Sequence, residues 1–233
     1  AFYCLFEVIL GPICLIVVGL NIGGFVGTEI EEIGMSFAEV MAQVPDLVAV
    51  VMISFITFVV LATNYTATTA FTRENKNFYI LKILPMSYEK IAESKALLAF
   101  AVNEIGIVFM VVLSIFLIQI PLLSALFTLV MCSLISLLFC YTQVYLDMRS
   151  PRLNWDNISA GLKNNPASML SILLALVTIG IVVGLYFLFS LAEIEIMRYI
   201  YFGVIALLAI GLFIYVRHVT IKNAALIIEN INT

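Results

Sequence analysis

The sequence predicts an all-α integral membrane protein with about six transmembrane helices, on the basis of three observations. Hydrophobic residues make up 64% of the 233 residues and charged residues only 11%, a composition outside the range of soluble proteins. Long apolar runs recur, and about 20 apolar residues let a helix cross roughly 30 Å of hydrocarbon. The chain lacks the alternating pattern of membrane barrels, and lipid cannot satisfy an open sheet edge.

Hydropathy places six candidate spans along the chain, separated by short polar segments. The spans are residues 2–25, 47–69, 96–120, 122–146, 168–192 and 199–216. They leave no room for a sizeable soluble domain, so we expect residues 1–233 to form a single transmembrane domain. Because the chain enters an apolar run directly at Ala1, without a methionine, we expect it to be a fragment of a longer polypeptide.

Basic residues are concentrated in alternate segments between the spans. Residues 70–95, residues 147–167 and the segment after residue 216 hold ten of the eleven Lys and Arg residues, and acidic residues predominate in the other segments. The positive-inside rule therefore predicts that these three basic segments and both termini are cytoplasmic. We expect a multi-pass protein of the plasma (inner) membrane.

Several function classes are disfavoured by composition. The net charge of −4 argues against a nucleic-acid partner, because phosphate binding needs a basic excess. The single histidine, His218, excludes an H-E-x-x-H metal site. The cysteines lie in apolar runs without C-x-x-C spacing, so we expect no metal site and interpret them as small core residues: Cys4, Cys14, Cys132 and Cys140.

The first basic segment, residues 70–95, is predicted to form two short helices hinged at Pro85. Apolar residues recur at helical spacing before this proline, which prevents continuation of a helix: Phe78, Leu81 and Leu84. A second helix is expected to begin after Ser87 and to continue unbroken into the third span. Spacing alone leaves open whether the segment docks a partner or is a solvated loop anchored among headgroups.

The same segment resembles the loop between the second and third helices of type-2 ATP-binding-cassette (ABC) exporter permeases. The shared order is Arg73-Glu74, an apolar stretch, Leu84-Pro85-Met86-Ser87, and Lys95 before the next span. Ser94-Lys95 stands where that family commonly has Gly-Lys, so the match is to a divergent branch. The resemblance implies an ATPase-coupling loop that includes Arg73, Glu74, Phe78, Tyr79, Leu81, Pro85 and Lys95.

The second basic segment carries a more specific match. It reads Asp147-Met-Arg-Ser-Pro151-Arg-Leu-Asn154-Trp155, followed by Lys163-Asn-Asn. This string resembles the Asp-x-x-x-Pro-Lys-Leu-Asn-Trp loop of a group of Gram-positive bacterial ABC permeases, whose members are longer and have further membrane helices ahead of this region. The resemblance covers all six spans and implies that this chain is a C-terminal half. Trp155 is alternatively an anchor at headgroup level.

The resemblance implies the permease subunit of an ABC exporter that moves an amphipathic, peptide or lipid-like substrate. ATP and Mg would be bound by a separate cytoplasmic ATPase subunit, because the sequence has no G-x-x-x-x-G-K-[ST] phosphate loop and we expect no cofactor of its own. A second permease half or subunit, in a homo- or heterodimer, would complete the path, and membrane lipid would surround both.

Polar residues within the spans are candidates for a path across the membrane. An ionisable group in hydrocarbon costs at least ~2.5 kcal/mol, so it is either functional or placed near the interface. The candidates are Glu7, Asn21, Asn64, Asn103 and Glu104. Glycines at four-residue spacing, such as Gly180 and Gly184, permit close helix crossings within the subunit or with a second half.

Two other classes compete with the permease interpretation. A secondary transporter is possible, because three spans followed by three spans of opposite orientation is an inverted-repeat topology. No Gly/Pro-interrupted pair recurs in the two halves, however. An intramembrane enzyme is the weaker alternative, since Glu31-Glu32 resembles a Glu-Glu-x-x-x-Arg protease motif but is followed by Ser36 in place of the arginine.

Overall fold

The computed structural model describes residues 8–9, 11–14, 16, 45–117, 120–156, 165–190 and 195–231. All regular secondary structure within these residues is helical. The helices are α1 (Pro45–Thr63), α2 (Tyr65–Thr68), a 3₁₀ helix (Thr72–Asn77), α3 (Phe78–Ile83), α4 (Tyr88–Leu117), α5 (Leu122–Arg149), α6 (Pro166–Ser190) and α7 (Glu195–Asn230).

Within the described part of the chain, four helices are long and apolar enough to cross a membrane. They are Tyr88–Phe116, Leu122–Arg149, Pro166–Phe189 and Ile200–Asn230. The chain is therefore a multi-pass membrane protein, as its composition predicts. These helices correspond to the last four predicted spans, whereas most of the first predicted span, residues 2–25, lies outside the described residues.

The second predicted span, residues 47–69, is wrong at its C-terminal end. Helix α1 stops at Thr63, and Asn64 begins a new turn, α2. The Asn64 side chain accepts a hydrogen bond from the Ala67 backbone N–H at 3.0 Å, so it acts as the N-cap of α2. The polar side chain that interrupts the apolar run therefore also breaks the helix.

The predicted pair of helices around Pro85 is confirmed. Helix α3 ends at Ile83, Leu84 is extended, and α4 begins at Tyr88 and passes through the basic segment into the span without interruption. The residue before a proline disfavours helical backbone, which explains the break. Helix α3 is thus joined by a short hinge to a continuous 30-residue helix.

The predicted tail after residue 216 is helical, which corrects the expected end of the sixth span. Helix α7 has 36 residues, or about 54 Å at 1.5 Å per residue, far more than the ~30 Å hydrocarbon thickness. Its last turns continue because Ala224 and Ile228 are fully buried at the basic end of the bundle. Lys82 Nζ donates to the carbonyl oxygens of Glu229 and Ile231 and satisfies the helix end.

The core has two parts, with α5 packed against α4, α7 and α1 at its centre. One part fills the membrane-spanning bundle and includes Ile53, Ile107 and Ile135. The other lies at the basic end, where the first basic segment covers the ends of α5 and α7, and it includes Phe71, Phe78, Met148 and Ile228. This second core holds the predicted loops in place.

Candidate functional site

The basic end of the bundle carries most of the residues that the sequence singles out. We call residues 65–87 and 147–156 together the basic platform. It comprises α2, the 3₁₀ helix, α3, the last turn of α5 and the start of the second loop.

One side of helix α3 is buried against the rest of the basic platform, and the other side is exposed. Phe78 and Leu81 are buried, and the Phe78 ring lies 6.3 Å from the Phe71 ring between centroids. Tyr79 is 52% exposed and Ile83 is 72% exposed. Leu84 and Met86 continue the exposed apolar surface beyond the helix. Of the three apolar residues predicted to contact a partner, Tyr79 is therefore on the surface, whereas Phe78 and Leu81 belong to the core of this chain.

Lys95 fastens the first basic segment to α4. Its Nζ donates to the Ala70 carbonyl oxygen at 2.6 Å and pairs with Glu74 Oε1. The same ammonium group lies 5.1 Å from the centroid of the Phe71 ring, within the range of a cation–π interaction. The structure thus brings together Glu74 and Lys95, which lie far apart in the predicted motif.

Arg73 binds backbone carbonyl groups at the C-terminal end of the short helix α2. Its guanidinium donates to the carbonyl oxygens of Thr69 (3.2 Å) and Thr66 (2.9 Å). Helix C-termini leave carbonyl groups without intrahelical partners, and a nearby arginine satisfies them. Arg73 is therefore engaged in local structure, and its substitution would disturb α2.

Asp147 is the central buried group of the basic platform. The sequence placed it in the second loop, but α5 continues to Arg149, so Asp147 lies in the last turns of that helix and is fully buried. Its Oδ2 accepts from the backbone N–H groups of Phe71 (2.6 Å) and Thr72 (3.0 Å). Its Oδ1 accepts from the Thr72 hydroxyl (2.6 Å) and the Asn165 amide (2.9 Å). One carboxylate thereby joins the first segment, α5 and the start of α6.

Thr72 connects the two predicted loops directly. Its Oγ1 accepts the Arg152 backbone N–H at 3.1 Å, and its carbonyl oxygen accepts Trp155 Nε1–H at 3.0 Å. Asn75, which has a positive φ of 46°, donates from its amide to the Trp155 carbonyl oxygen at 2.9 Å. Trp155 is thus a half-buried contact between loops within the chain, and the loops form one unit.

The remaining second-loop residues contribute less to this unit. Pro151 is half-buried, and Asn154 is exposed. Lys163 lies outside the described residues. The pair Asn165-Pro166 in the sequence predicts an N-cap and a first helical proline for the fifth span. The structure confirms this start, because Asn165 Oδ1 accepts the Ala167 backbone N–H at 3.0 Å and Pro166 is the first residue of α6.

A polar stripe along α5 is the feature that the sequence interpretation missed. Small or polar residues recur every three or four positions on the buried side of this helix: Ser124, Thr128, Cys132, Ser136, Cys140, Gln143 and Asp147. Residues at this spacing share one face of a helix. The spacing was visible in the sequence, but the serines, threonines and cysteines are weakly polar and do not interrupt the hydropathy profile.

Side chains of the stripe form hydrogen bonds with two asparagines that the sequence analysis named as polar residues within the spans. Asn64 donates its amide to Gln143 Oε1 at 2.6 Å and also lies 3.5 Å from Cys140 Sγ. Asn103 donates to Ser136 Oγ at 3.3 Å and lies 3.4 Å from Cys140 Sγ. Both asparagines are buried and connect α5 to its neighbours, which is the role of polar residues as interhelical contacts.

Glu104 is half-buried beside α5, where the Ser133 hydroxyl lies 3.0 Å from its Oε2. Glu7 and Asn21, the other candidates for a polar path, lie outside the described residues. Gly180 and Gly184 lie on an exposed part of α6, and a Cβ at either would meet nothing within 4 Å in the described part of the chain. Internal packing among the described helices therefore does not use these glycines.

The described residues offer no arrangement typical of a metal centre. They contain no group of three or more His, Cys, Asp or Glu side chains that could hold a metal ion. Cys132 and Cys140 are buried on α5, in agreement with the interpretation as core residues.

Comparison of the chain with family models, curated proteins and solved structures finds no match. The resemblance to ABC exporter permeases therefore stays a prediction that rests on the two loop motifs. The geometry adds that both motifs lie in one hydrogen-bonded platform.

Proposed function

We propose that the chain is a permease subunit of an ABC exporter, working with a separate cytoplasmic ATPase subunit. The observation that carries the proposal is the exposed apolar side of α3, which lies outside the four membrane-spanning helices on the hydrogen-bonded basic platform. Tyr79 and Ile83 are the most exposed apolar side chains of this helix. Grooves of partner proteins commonly bind such aromatic and aliphatic anchors.

The connections of the basic platform suit a mechanical role. Helix α4 continues from Tyr88, directly after the α3 hinge, to Leu117 without a break. Asp147 links the same segment to α5 and, through Asn165, to α6. A force applied to α3 would therefore reach three membrane-spanning helices. This favours a subunit driven from its cytoplasmic side over a secondary transporter, whose coupling ions would act within the membrane.

The other parts of the proposal follow from the resemblance. The ATPase subunit would bind ATP and Mg, and a second permease half or subunit would supply the other side of the substrate path. The basic end would face the cytoplasm, as the positive-inside rule predicts. The substrate would be amphipathic, peptide or lipid-like, because the spans are mostly apolar.

The test is mild-detergent purification of the tagged full chain from its native host, with mass spectrometry to identify partners. We expect stoichiometric recovery of a protein with a phosphate loop, whose ATPase activity changes when the permease is added. Ile83→Glu should abolish this recovery, because it places a charge on the exposed apolar side of α3. Leu226→Glu is the matched control, since Leu226 is similarly exposed near the end of α7.

Two results would contradict the proposal. Repeated isolation of the chain alone, stable and monodisperse, would favour a secondary transporter. Unchanged recovery of the partner by the Ile83→Glu variant would show that α3 is not the contact and would favour its role as an anchor among lipid headgroups.

A further inference from the structure

An apolar cleft lies between three of the membrane-spanning helices, and none of its lining residues belongs to the basic platform. Its volume is about 440 Å³. Helix α5 forms its floor, and α6 and α7 form its two walls. The floor residues are Ile135, Leu138, Phe139 and Thr142.

The lining of the cleft suits a hydrocarbon chain. Among the described residues that line it, the only polar side chains are those of two threonines, Thr142 and Thr178. Their hydroxyls donate within their own helices, to the carbonyl oxygens of Leu138 (2.9 Å) and Leu174 (2.8 Å). A polar ligand would lose its hydrogen bonds to water there, and the two hydroxyls already donate to their own helices, so its binding would be unfavourable. An apolar occupant has no such cost.

The cleft has the length of one leaflet. On α7 it extends from Ile205 to Val216, which corresponds to about 16 Å of helix. Half of a typical ~30 Å hydrocarbon core is about 15 Å. Its rims are also accessible from the side, because Val177 on α6 and Leu212 on α7 are each about half exposed. A lipid chain could therefore enter laterally between α6 and α7.

One end of the cleft lies at a charged level of the bundle. Val216 is followed by Arg217, whose guanidinium forms an ion pair with Glu93 on α4. Both side chains are partly exposed, and such charges are placed at the interface rather than in hydrocarbon. The other two helices place this end of the cleft at the same level, because Thr142 on α5 and Leu174 on α6 also lie toward the basic end of the bundle. A phospholipid headgroup would lie at the level of the Arg217–Glu93 ion pair.

We propose that this cleft binds one acyl chain of a membrane phospholipid, with the headgroup at the level of Arg217 and the chain extending toward Ile205. The proposal does not depend on the transport function. The bound chain fills space that the side chains of the three helices leave open, and it holds α6 and α7 apart at a fixed distance from α5.

The test uses the purified full chain in phosphatidylcholine and phosphatidylglycerol vesicles with a trace of phospholipid that carries a photoreactive diazirine in one acyl chain. After illumination, mass spectrometry locates the adducts. We expect adducts on Ile135 and Phe139, which are buried from bulk lipid at 3% and 6% exposure. Adducts on the outer face of α4, at Leu98 and Ile105, report the surrounding lipid and serve as the internal reference.

Two variants distinguish the cleft from the general lipid surface. Ala209→Phe fills the cleft from the α7 wall and should lower floor adducts relative to the reference by about tenfold, the ratio that ~1.4 kcal/mol of lost affinity produces. Gly211→Phe, on the same helix, should leave them unchanged, because a Cβ there meets nothing within 4 Å. Should Ala209→Phe fail to fold, Val177→Trp blocks the opposite rim at a half-exposed position.

Three results would overturn the proposal. The first is an absence of floor adducts while the reference residues are labelled, which would mean surrounding lipid only. The second is floor labelling that the blocking variants do not lower. The third is floor labelling that palmitic acid displaces but unlabelled phospholipid does not, which would assign the cleft to a free fatty acid.

Discussion

Replacement of Asp147 by alanine is the sharpest test of the basic platform. The change removes the acceptor of four hydrogen bonds, two of them from the backbone N–H groups of Phe71 and Thr72. The Asn165 amide also donates to the Thr68 carbonyl oxygen, so it keeps a partner. The Thr72 hydroxyl can rotate, but the two backbone groups have fixed directions.

The magnitude follows from these two backbone groups. A buried donor left without an acceptor costs about 1–3 kcal/mol, so Asp147→Ala should lower the free energy of unfolding by about 2–6 kcal/mol. Asp147→Asn retains one carbonyl oxygen and should lie between the wild type and the alanine variant. Asp156→Ala is the control, because Asp156 is fully exposed and lies 4.0 Å from Lys76 in a solvated pair.

The assay combines two measurements on the full chain in detergent. Denaturant titration gives the change in the free energy of unfolding, and limited proteolysis reports whether the 3₁₀ helix becomes accessible. We expect the proteolysis rate to rise in the order wild type, Asp147→Asn, Asp147→Ala. An alanine variant as stable and as protected as Asp156→Ala would refute the central role of the carboxylate.

Three further substitutions test other contacts. Lys95→Met removes the bonds to the Ala70 carbonyl and Glu74 and should raise proteolysis within the 3₁₀ helix several-fold, whereas Lys90→Met at an exposed position should not. Trp155→Phe keeps an aromatic ring but removes the donor to Thr72, so it should cost about 1 kcal/mol in a denaturant titration; a cost near zero would contradict the loop contact. Lys82→Met removes the cap of α7, and hydrogen exchange in its last turn should accelerate while its middle stays protected.

The sequence predicted those helix ends that are set by one residue or by two adjacent residues. Pro85 separates α3 from α4, and the Asn165-Pro166 pair begins α6, because a proline and a capping side chain act within a few residues. The end of α7 was missed for the opposite reason. Its last turns are stabilised by burial of Ala224 and Ile228 against a distant segment, which a hydropathy profile does not contain.

The candidate site shows the same limit. The motifs identified Asp147, Trp155 and Lys95 as residues of interest. They did not predict that Thr72 contacts both Asp147 and Trp155. Nor did they predict that Lys95 binds the segment that contains Thr72. The contacts of Thr72 with Asp147 and Trp155 join residues 75 and 83 positions apart, and sequence spacing carries no information at that distance without a known fold. The resemblance placed Phe78 in the ATPase-coupling loop, but it does not say which side of the helix is buried within the chain.

The sequence separations of these contacts also impose an order on synthesis in the membrane. Lys95 reaches the Ala70 carbonyl after only 25 further residues, so the first basic segment can be fastened early. The Asn165 amide, which bridges Thr68 and Asp147, is made 97 residues after Thr68, roughly 5–20 s later at about 5–20 residues per second. Asp147 itself is made only 18 residues before Asn165. Until both are made, the nascent first basic segment depends on the lysine.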